Sequence, residues 1–177
     1  MRKLSLLLVF VLILCCGSLF SQDDYPRAEV FGGFSLLNTD IGSSLSVPHS
    51  LYGFQANIAF NLDGYFGVEA DFGGQFKSEG DVKVHIYEYM FGPRVALRQE
   101  KTTLFLHALW GGVNVGGGGY SNSDFTIEFG GGLDLNMNDR FALRVVQVDW
   151  IWSRFIENVG YQWYKDTVRF GFGIVIK

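Results

Sequence analysis

The 177-residue chain contains two cysteines, and both lie near its start, at Cys15 and Cys16. Residues 17–177 therefore offer no thiol for a disulfide, a thiolate nucleophile or a thiolate metal site. Basic residues are also scarce, since 14 Lys and Arg stand against 18 Asp and Glu. An acidic chain without a basic run is a poor match to a nucleic-acid-binding protein, so we predict no nucleic-acid partner.

Beyond its first residues, the sequence lacks both helical periodicity and the long apolar run of a membrane-spanning helix. Its one continuous apolar run, Leu4–Cys16, follows Arg2 and Lys3 and precedes small residues. This order is typical of an export signal, and the run is short for a membrane-spanning helix. We predict a signal peptide at residues 1–21, with an N-terminal anchor helix or lipidation of one cysteine as alternatives.

Along the rest of the chain, apolar residues alternate with polar residues or glycine. In Phe66–Phe76, for example, apolar residues alternate with Glu69, Asp71 and glycines. A period of two is typical of a β-strand with two different faces. Eight such strands are predicted: Ala28–Leu36, Leu51–Leu62, Phe66–Phe76, Val82–Leu97, Thr103–Val113, Phe125–Met137, Phe141–Trp152 and Thr167–Ile176.

Two of the predicted strands change parity part-way along. One extra residue in a strand moves every later side chain to the other face, so each change predicts a β-bulge. We place the bulges near Ile86-Tyr87 and near Val145-Val146.

The connections between the strands alternate in length. Three are short, at Leu62–Gly64, Arg98–Lys101 and Met137–Asp139. The others are mostly longer, at Asn38–Ser50, Ser78–Asp81, Asn114–Asp124 and Ser153–Asp166. Short turns on one rim and longer loops on the other are typical of membrane barrels, so residues 22–177 are predicted to form an all-β, eight-stranded, antiparallel, up-and-down transmembrane β-barrel.

Glycine favours this barrel over a soluble one with an apolar interior. Many glycines share the polar face, where they would weaken a solvent-facing strand without benefit. Inside a narrow barrel they make room for charged side chains. We therefore predict a polar interior network of Glu29, Glu69, Asp71, Glu88, Arg94, His107, Glu128, Asp134, Arg144, Asp149 and Arg169. The predicted lipid-facing residues are Phe54, Ile58, Val68, Phe72, Phe91, Leu106, Phe129, Leu133, Trp150, Phe170 and Phe172.

Two stretches carry a resemblance to a known family. Phe91-Gly92-Pro93-Arg94-Val95 and the run Gly130–Trp150 resemble the outer-membrane β-barrel domain family, whose members are similar to the OmpA transmembrane domain and to OmpX. The resemblance implies the bacterial outer membrane of a Gram-negative cell envelope as location. It also implies outer-membrane lipid and the barrel-assembly machinery as partners.

The sequence carries few motifs with chemistry of their own. His107 and His85 leave open a lipid-modifying enzyme, His49 and Ser50 form no recognisable triad, and His49 with His85 makes a weak metal pair. Inward carboxylates leave open a narrow ion-conducting pore. We expect no enzyme, cofactor or metal, and instead a structural or surface-interaction role in which the longer loops meet an unidentified surface ligand.

Overall fold

The structure, a computed structural model, describes residues 25–39, 50–79, 82–117, 120–157 and 160–177. The predicted signal peptide lies outside the described residues. Eight strands follow in chain order: β1 (Ala28–Asn38), β2 (Ser50–Asn61), β3 (Phe66–Glu79), β4 (Val82–Arg98), β5 (Thr102–Gly117), β6 (Tyr120–Asn136), β7 (Phe141–Glu157) and β8 (Gly160–Ile176). Each predicted strand corresponds to one of these, in the same order.

The eight strands close on themselves. Each strand pairs antiparallel with the next, and β8 pairs with β1. Phe34 of β1, for example, stands opposite Phe54 of β2 and Phe172 of β8. The predicted up-and-down barrel is therefore confirmed, and its described strands leave no unpaired edge.

Alternation along each strand separates an inner from an outer face. In β1, Glu29 and Phe31 are buried, whereas Val30 and Phe34 are more than 40% exposed. The same pattern holds around the barrel, so the large exposed side chains are mostly apolar and the buried ones include many charged groups. This arrangement is the reverse of a soluble protein.

Two apolar layers lie inside the barrel together with the polar network. We call the rim with the short turns the turn rim, and the opposite rim, where β1 ends and β2 begins, the loop rim. The larger layer lies toward the loop rim and consists of Leu37, Leu51, Val84, Ile86, Val113, Val115 and Ile151. The smaller one, toward the turn rim, consists of Phe31, Ala142 and Val175.

Of the two predicted bulges, one is confirmed and one is wrong. The register of β7 shifts against both neighbours at Val145 and Val146, and both valines face outward. In β4 the alternation is unbroken, because Val84 and Ile86 are buried inside the barrel in phase with Glu88. The parity change in the sequence marks the apolar layer at the loop rim, where apolar side chains point inward.

For three of the four connections predicted to be longer, the prediction is wrong, because the strands continue into the residues assigned to the loop. Strand pairing continues to Glu79↔Val82, to Gly117↔Tyr120 and to Glu157↔Gly160. Within the predicted loop, residues 114–117 and 120–124 are paired strand. The remaining connection includes residues 40–49, which lie outside the described residues.

Two of the turns at the turn rim are built alike. In one, Asp63 Oδ1 accepts hydrogen bonds from the backbone N–H groups of Tyr65 and Phe66 at 2.7 Å. In the other, Asn138 Oδ1 accepts from Arg140 and Phe141 at 2.9 and 2.8 Å. An Asp or Asn side chain that binds the backbone in this way stabilises a tight turn, which explains the turn signal at Asp63-Gly64.

Candidate functional site

The structure places all eleven residues of the predicted polar network inside the barrel. Their exposed fractions range from 0% to 6%, with His107 the most exposed. Buried charges require partners, because an uncompensated one is strongly destabilising. The contacts described next show how these partners are arranged.

Arg169 is the centre of the network. Its Nη1 donates to Glu88 at 2.8 Å, and its Nη2 lies 2.9–3.0 Å from carboxylate oxygens of three residues on other strands. The Nη2 partners are Asp71, Glu128 and Asp149. One guanidinium on β8 therefore connects carboxylates from β3, β4, β6 and β7 across the barrel.

His107 forms a second centre beside the first. Its Nδ1 lies 3.2 Å from Glu69 Oε1, and its Nε2 lies 3.1 Å from Asp149 Oδ1 and 3.3 Å from Glu128 Oε1. Both ring nitrogens therefore face carboxylate oxygens. Asp149 and Glu128 are shared between His107 and Arg169.

Toward the turn rim, guanidinium groups stack on aromatic rings. Arg144 holds Asp134 with two hydrogen bonds of 2.8 and 3.1 Å. Its guanidinium carbon lies 4.2 Å from the ring centroids of both Phe31 and Phe105. Arg94 lies 4.5 Å from the ring centroid of Phe105. These rings explain why aromatic residues interrupt the polar face of β1 and β5.

Arg94 and Arg98 bind the carboxylate nearest the turn rim. Arg94 Nη2 lies 3.0 Å from Glu29 Oε2, and Arg98 Nη2 lies 3.0 Å from Glu29 Oε1. Arg98 also donates to the carbonyl oxygen of Gly64 at 2.8 Å. The network thus extends from the centre of the barrel to the turn at its edge.

Several amides complete the network and were missing from the sequence-based set. Gln55 Nε2 donates to Asp71 at 2.7 Å and to Asp149 at 3.2 Å. Gln147 accepts from Arg144 at 2.7 Å and donates to Asp149 at 2.9 Å. Strand parity was the signal that could have found both glutamines, because they alternate in phase with the charged residues.

Three glycines make space for these side chains. A Cβ at Gly73 would lie 2.9 Å from Arg169 Nη1, and a Cβ at Gly171 would lie 2.5 Å from Gln55 Oε1. A Cβ at Gly130 would lie 2.7 Å from His107 Nε2 and closer still to Asp149. The inward glycines at these positions therefore provide the room that the sequence analysis expected.

The sequence matches no protein-family model and no curated protein sequence. Solved structures with the same fold include Neisserial surface protein A, at 9% identity and a TM-score of 0.55, which covers 85% of this chain and 95% of that one. They also include outer membrane protein OprG from Pseudomonas aeruginosa, at 9% identity and a TM-score of 0.57, which covers 84% and 94%. The N-terminal β-barrel domain of Pseudomonas aeruginosa OprF is 12% identical with a TM-score of 0.51 and covers 85% and 96%.

This chain folds as a transmembrane β-barrel. At such identities the likeness establishes the fold and carries no activity with it. Among the described residues, no helix has the length and hydropathy needed to cross a membrane.

The outer face of the barrel carries the predicted lipid-facing residues. Ten of the eleven are 41–63% exposed: Phe54, Ile58, Val68, Phe72, Phe91, Leu106, Phe129, Trp150, Phe170 and Phe172. Leu133 differs because it is half-buried. It borders a shallow depression whose lining includes Leu106, Gly131 and Val148.

The structure separates the histidines that left an enzyme or metal site open. His107 is buried in the interior, whereas His85 lies on the outer side with its ring 5.5 Å from that of Tyr87. His49 lies outside the described residues. No catalytic arrangement of His107 with His85 is therefore formed.

Proposed function

We propose that this barrel is exported to the bacterial outer membrane, where it has a structural or surface-interaction role and is neither an enzyme nor a wide porin. The observation that carries the proposal is the filled interior. Arg169 and its four carboxylate partners are at most 3% exposed, and an apolar layer lies between them and the loop rim. A barrel closed in this way presents only its rims and its outer face to other molecules.

The names of two proteins with this fold support the location. OprG is an outer membrane protein, and Neisserial surface protein A is a surface protein. The N-terminal segment supports it as well, because an export signal is required to reach that membrane. Outer-membrane lipid and the barrel-assembly machinery are then the expected partners.

The loop rim offers the surface on which a ligand would bind. The exposed apolar side chains of the outer face form a belt around the barrel, which we call the apolar band. At the loop rim β5 and β6 remain paired beyond this band, and their outward side chains become polar. Asn114 donates to Ser121 at 3.0 Å and to Ser123 at 2.7 Å. Arg154 of β7 pairs with Asp124 at 3.3 Å. Paired strands hold these groups in fixed positions.

The filled interior also bears on the two alternatives. An ion-conducting pore requires a continuous polar path, and the apolar layer around Leu51 and Ile86 lies across it. A lipid-modifying enzyme requires an accessible catalytic group, and His107 is enclosed by carboxylates. Both features support a structural or surface role.

Single-cysteine labelling tests the location and orientation together. Residues 17–177 contain no cysteine, so Ser123→Cys and Asn138→Cys each place one thiol on a known rim. A membrane-impermeant maleimide should label Ser123→Cys on intact cells and Asn138→Cys only after permeabilisation. Labelling of neither before permeabilisation, together with absence from the outer-membrane fraction, would refute the proposal.

Two functional assays separate the alternatives. The purified barrel in planar bilayers should show no ion conductance above that of the lipid alone. It should also release no fatty acid from lipopolysaccharide or phospholipid. Steady conductance would favour the pore, and lipid hydrolysis lost in His107→Ala would favour the enzyme.

A further inference from the structure

Both ring nitrogens of His107 face carboxylate oxygens inside the barrel. Nδ1 lies 3.2 Å from Glu69 Oε1, and Nε2 lies 3.1 Å from Asp149 Oδ1 and 3.3 Å from Glu128 Oε1. A neutral imidazole has one N–H donor and one acceptor nitrogen. In either neutral tautomer, a nitrogen lone pair would therefore point at the oxygen of an ionised carboxylate. Only the doubly protonated ring can donate a hydrogen bond on both sides.

The arginines that bind these carboxylates are already shared among several partners. Arg169 contacts four carboxylates, including both of those that face Nε2. Arg94 lies 3.0 Å from Glu29 Oε2 and 3.5 Å from Glu69 Oε2. Buried negative charge without a partner is strongly destabilising. A second proton on His107 adds positive charge at the place where three carboxylates face one ring.

The His107 side chain is fully buried among protein groups. The ring of Phe105 lies 5.8 Å from it, and Arg94 stands opposite His107 in the pairing of β4 with β5. Three carboxylates contact the imidazole directly, whereas two guanidiniums bind those same carboxylates. These charged side chains come from five strands: Glu69 of β3, Arg94 of β4, Glu128 of β6, Asp149 of β7 and Arg169 of β8. The charges in direct contact with the ring therefore favour its protonated form.

A charged His107 would also link two groups of ion pairs. One group surrounds Arg169, and the other connects Arg94 and Arg98 through Glu29 near the turn rim. With a proton on each ring nitrogen, positive and negative side chains alternate along a series that runs from the centre of the barrel to that rim. The series is Glu88, Arg169, Asp149, His107, Glu69, Arg94, Glu29 and Arg98.

We propose that the buried ring of His107 is an imidazolium that joins these two groups and makes the stability of the barrel depend on alkaline pH. The imidazole of an unfolded chain loses its second proton at about pH 6.5, whereas carboxylates on both sides keep this proton on the folded ring. Unfolding at higher pH then releases the proton. The stabilisation is therefore complete below about pH 6.5 and is lost as the pH rises until the folded ring is also neutral. This inference is independent of the proposed surface role.

NMR measures the charge of the ring directly. The purified chain, labelled with ¹⁵N in its histidines, is refolded into detergent micelles, and folding is verified by heat-modifiable gel mobility. The chain has three histidines, and loss of one signal in His107→Gln assigns the interior ring. At about pH 8, both ring nitrogens of His107 should carry a proton in the folded barrel, and only one should do so after unfolding in urea. A folded barrel with one unprotonated nitrogen on His107 at this pH would overturn the proposal, because the bridging proton would then belong to a carboxylate.

The pH dependence of unfolding gives a second readout. Between about pH 7.5 and pH 9, the unfolding equilibrium constant of the unmodified chain in lipid vesicles should rise by up to about tenfold per pH unit, as expected for one released proton. His107→Lys keeps a positive charge over this range and should lose the dependence. His85→Gln should retain it, because His85 lies on the outer side beside Tyr87. An unfolding constant of the unmodified chain that does not change with pH, or an equal rise in His107→Lys, would refute the proposal.

Two glutamate variants separate direct contacts from general negative charge. Glu69→Gln removes the carboxylate beside Nδ1, whereas Glu88→Gln removes an equal charge that contacts Arg169 instead. Measured at one pH, the ratio of doubly to singly protonated His107 should fall by about tenfold or more in Glu69→Gln and by less than about threefold in Glu88→Gln. Equal falls would contradict the assignment of the proton to these contacts. The NMR measurement on the unmodified chain decides the question even where a variant fails to fold.

Discussion

Arg169 holds the whole carboxylate of Glu128 with a single nitrogen, since its Nη2 lies 3.0 Å from Oε1 and 2.9 Å from Oε2. The two residues come from β8 and β6, which are not neighbours in the barrel wall. The contact therefore spans the interior rather than following the sheet. It adds a connection between strands that backbone pairing cannot make.

Replacing Arg169 should strongly destabilise the barrel. Arg169→Met leaves its four carboxylate partners without their shared cation, and loss of one partner from a buried ion pair costs about 3–5 kcal/mol. The free energy of unfolding, from reversible urea titration in lipid vesicles, measures the loss. Arg154→Met is the control, because its partly exposed pair with Asp124 contributes at most about 1 kcal/mol. Equal losses in the two variants would contradict the central role of Arg169.

A lysine on the outer face should have an effect that depends on depth. Phe72 lies in the middle of β3, so Phe72→Lys should lower the free energy of unfolding by about 2–4 kcal/mol in lipid vesicles. Phe60 lies near the turn rim with a similar outward orientation. Phe60→Lys should therefore cost no more than about 1 kcal/mol. The opposite ranking would mean that the apolar band is misplaced.

The inward and outward glycines should respond differently to a methyl group. Gly130→Ala should cost about 1–3 kcal/mol, because the new Cβ displaces His107 and Asp149 from a filled interior. Gly32 faces outward, and a Cβ there would meet no atom within 4 Å. Gly32→Ala should be neutral or slightly stabilising, since alanine loses less conformational freedom than glycine. Urea unfolding of the two variants side by side checks the difference.

The turn at Asp63 should make the free energy of unfolding depend on pH in the acidic range. Hydrogen bonds from the backbone N–H groups of Phe66 and Tyr65 lower the pKa of Asp63. A lowered pKa means that the ionised group stabilises the fold above the unfolded value of about 3.9, and that this contribution is lost as pH falls through the folded pKa. The stability difference between the unmodified chain and Asp63→Ala should therefore shrink below about pH 4.

Asn138 provides the matched control for this titration. It makes the same two backbone contacts with a side chain that does not ionise. The difference between the unmodified chain and Asn138→Ala should stay constant over the same pH range. A parallel decline in both would assign the acid effect to the barrel as a whole.

Alternation alone was sufficient to predict the strands, their order and the faces of most side chains. This succeeds because lipid accepts only apolar outward residues, so a period of two is enforced along each strand. The bulge at Val145-Val146 followed from the same reasoning. Outside the apolar band that constraint ends, and the prediction failed there.

The errors at the loop rim have a common physical cause. Val84 and Ile86 point inward because the interior ends in an apolar layer, which reversed the expected parity and suggested a bulge. Gly116 and Gly117 continue β5 because a paired strand outside the band tolerates either kind of face. Gln55 and Gln147 were missed because the predicted network contained only ionisable side chains, and an uncharged amide shows its role only through its hydrogen-bond partners.

The pairing of Val30 with Ile176 has a consequence for how the chain can be threaded. β8 lies beside β1, and the end of β8 and the start of β1 lie at the same rim. The pairing of the strands therefore does not depend on which strand comes first in the chain. A peptide bridge from Lys177 back to Ala28, with a new opening between Glu100 and Lys101, would leave every strand with its present neighbours. The wall should therefore accept circular permutation.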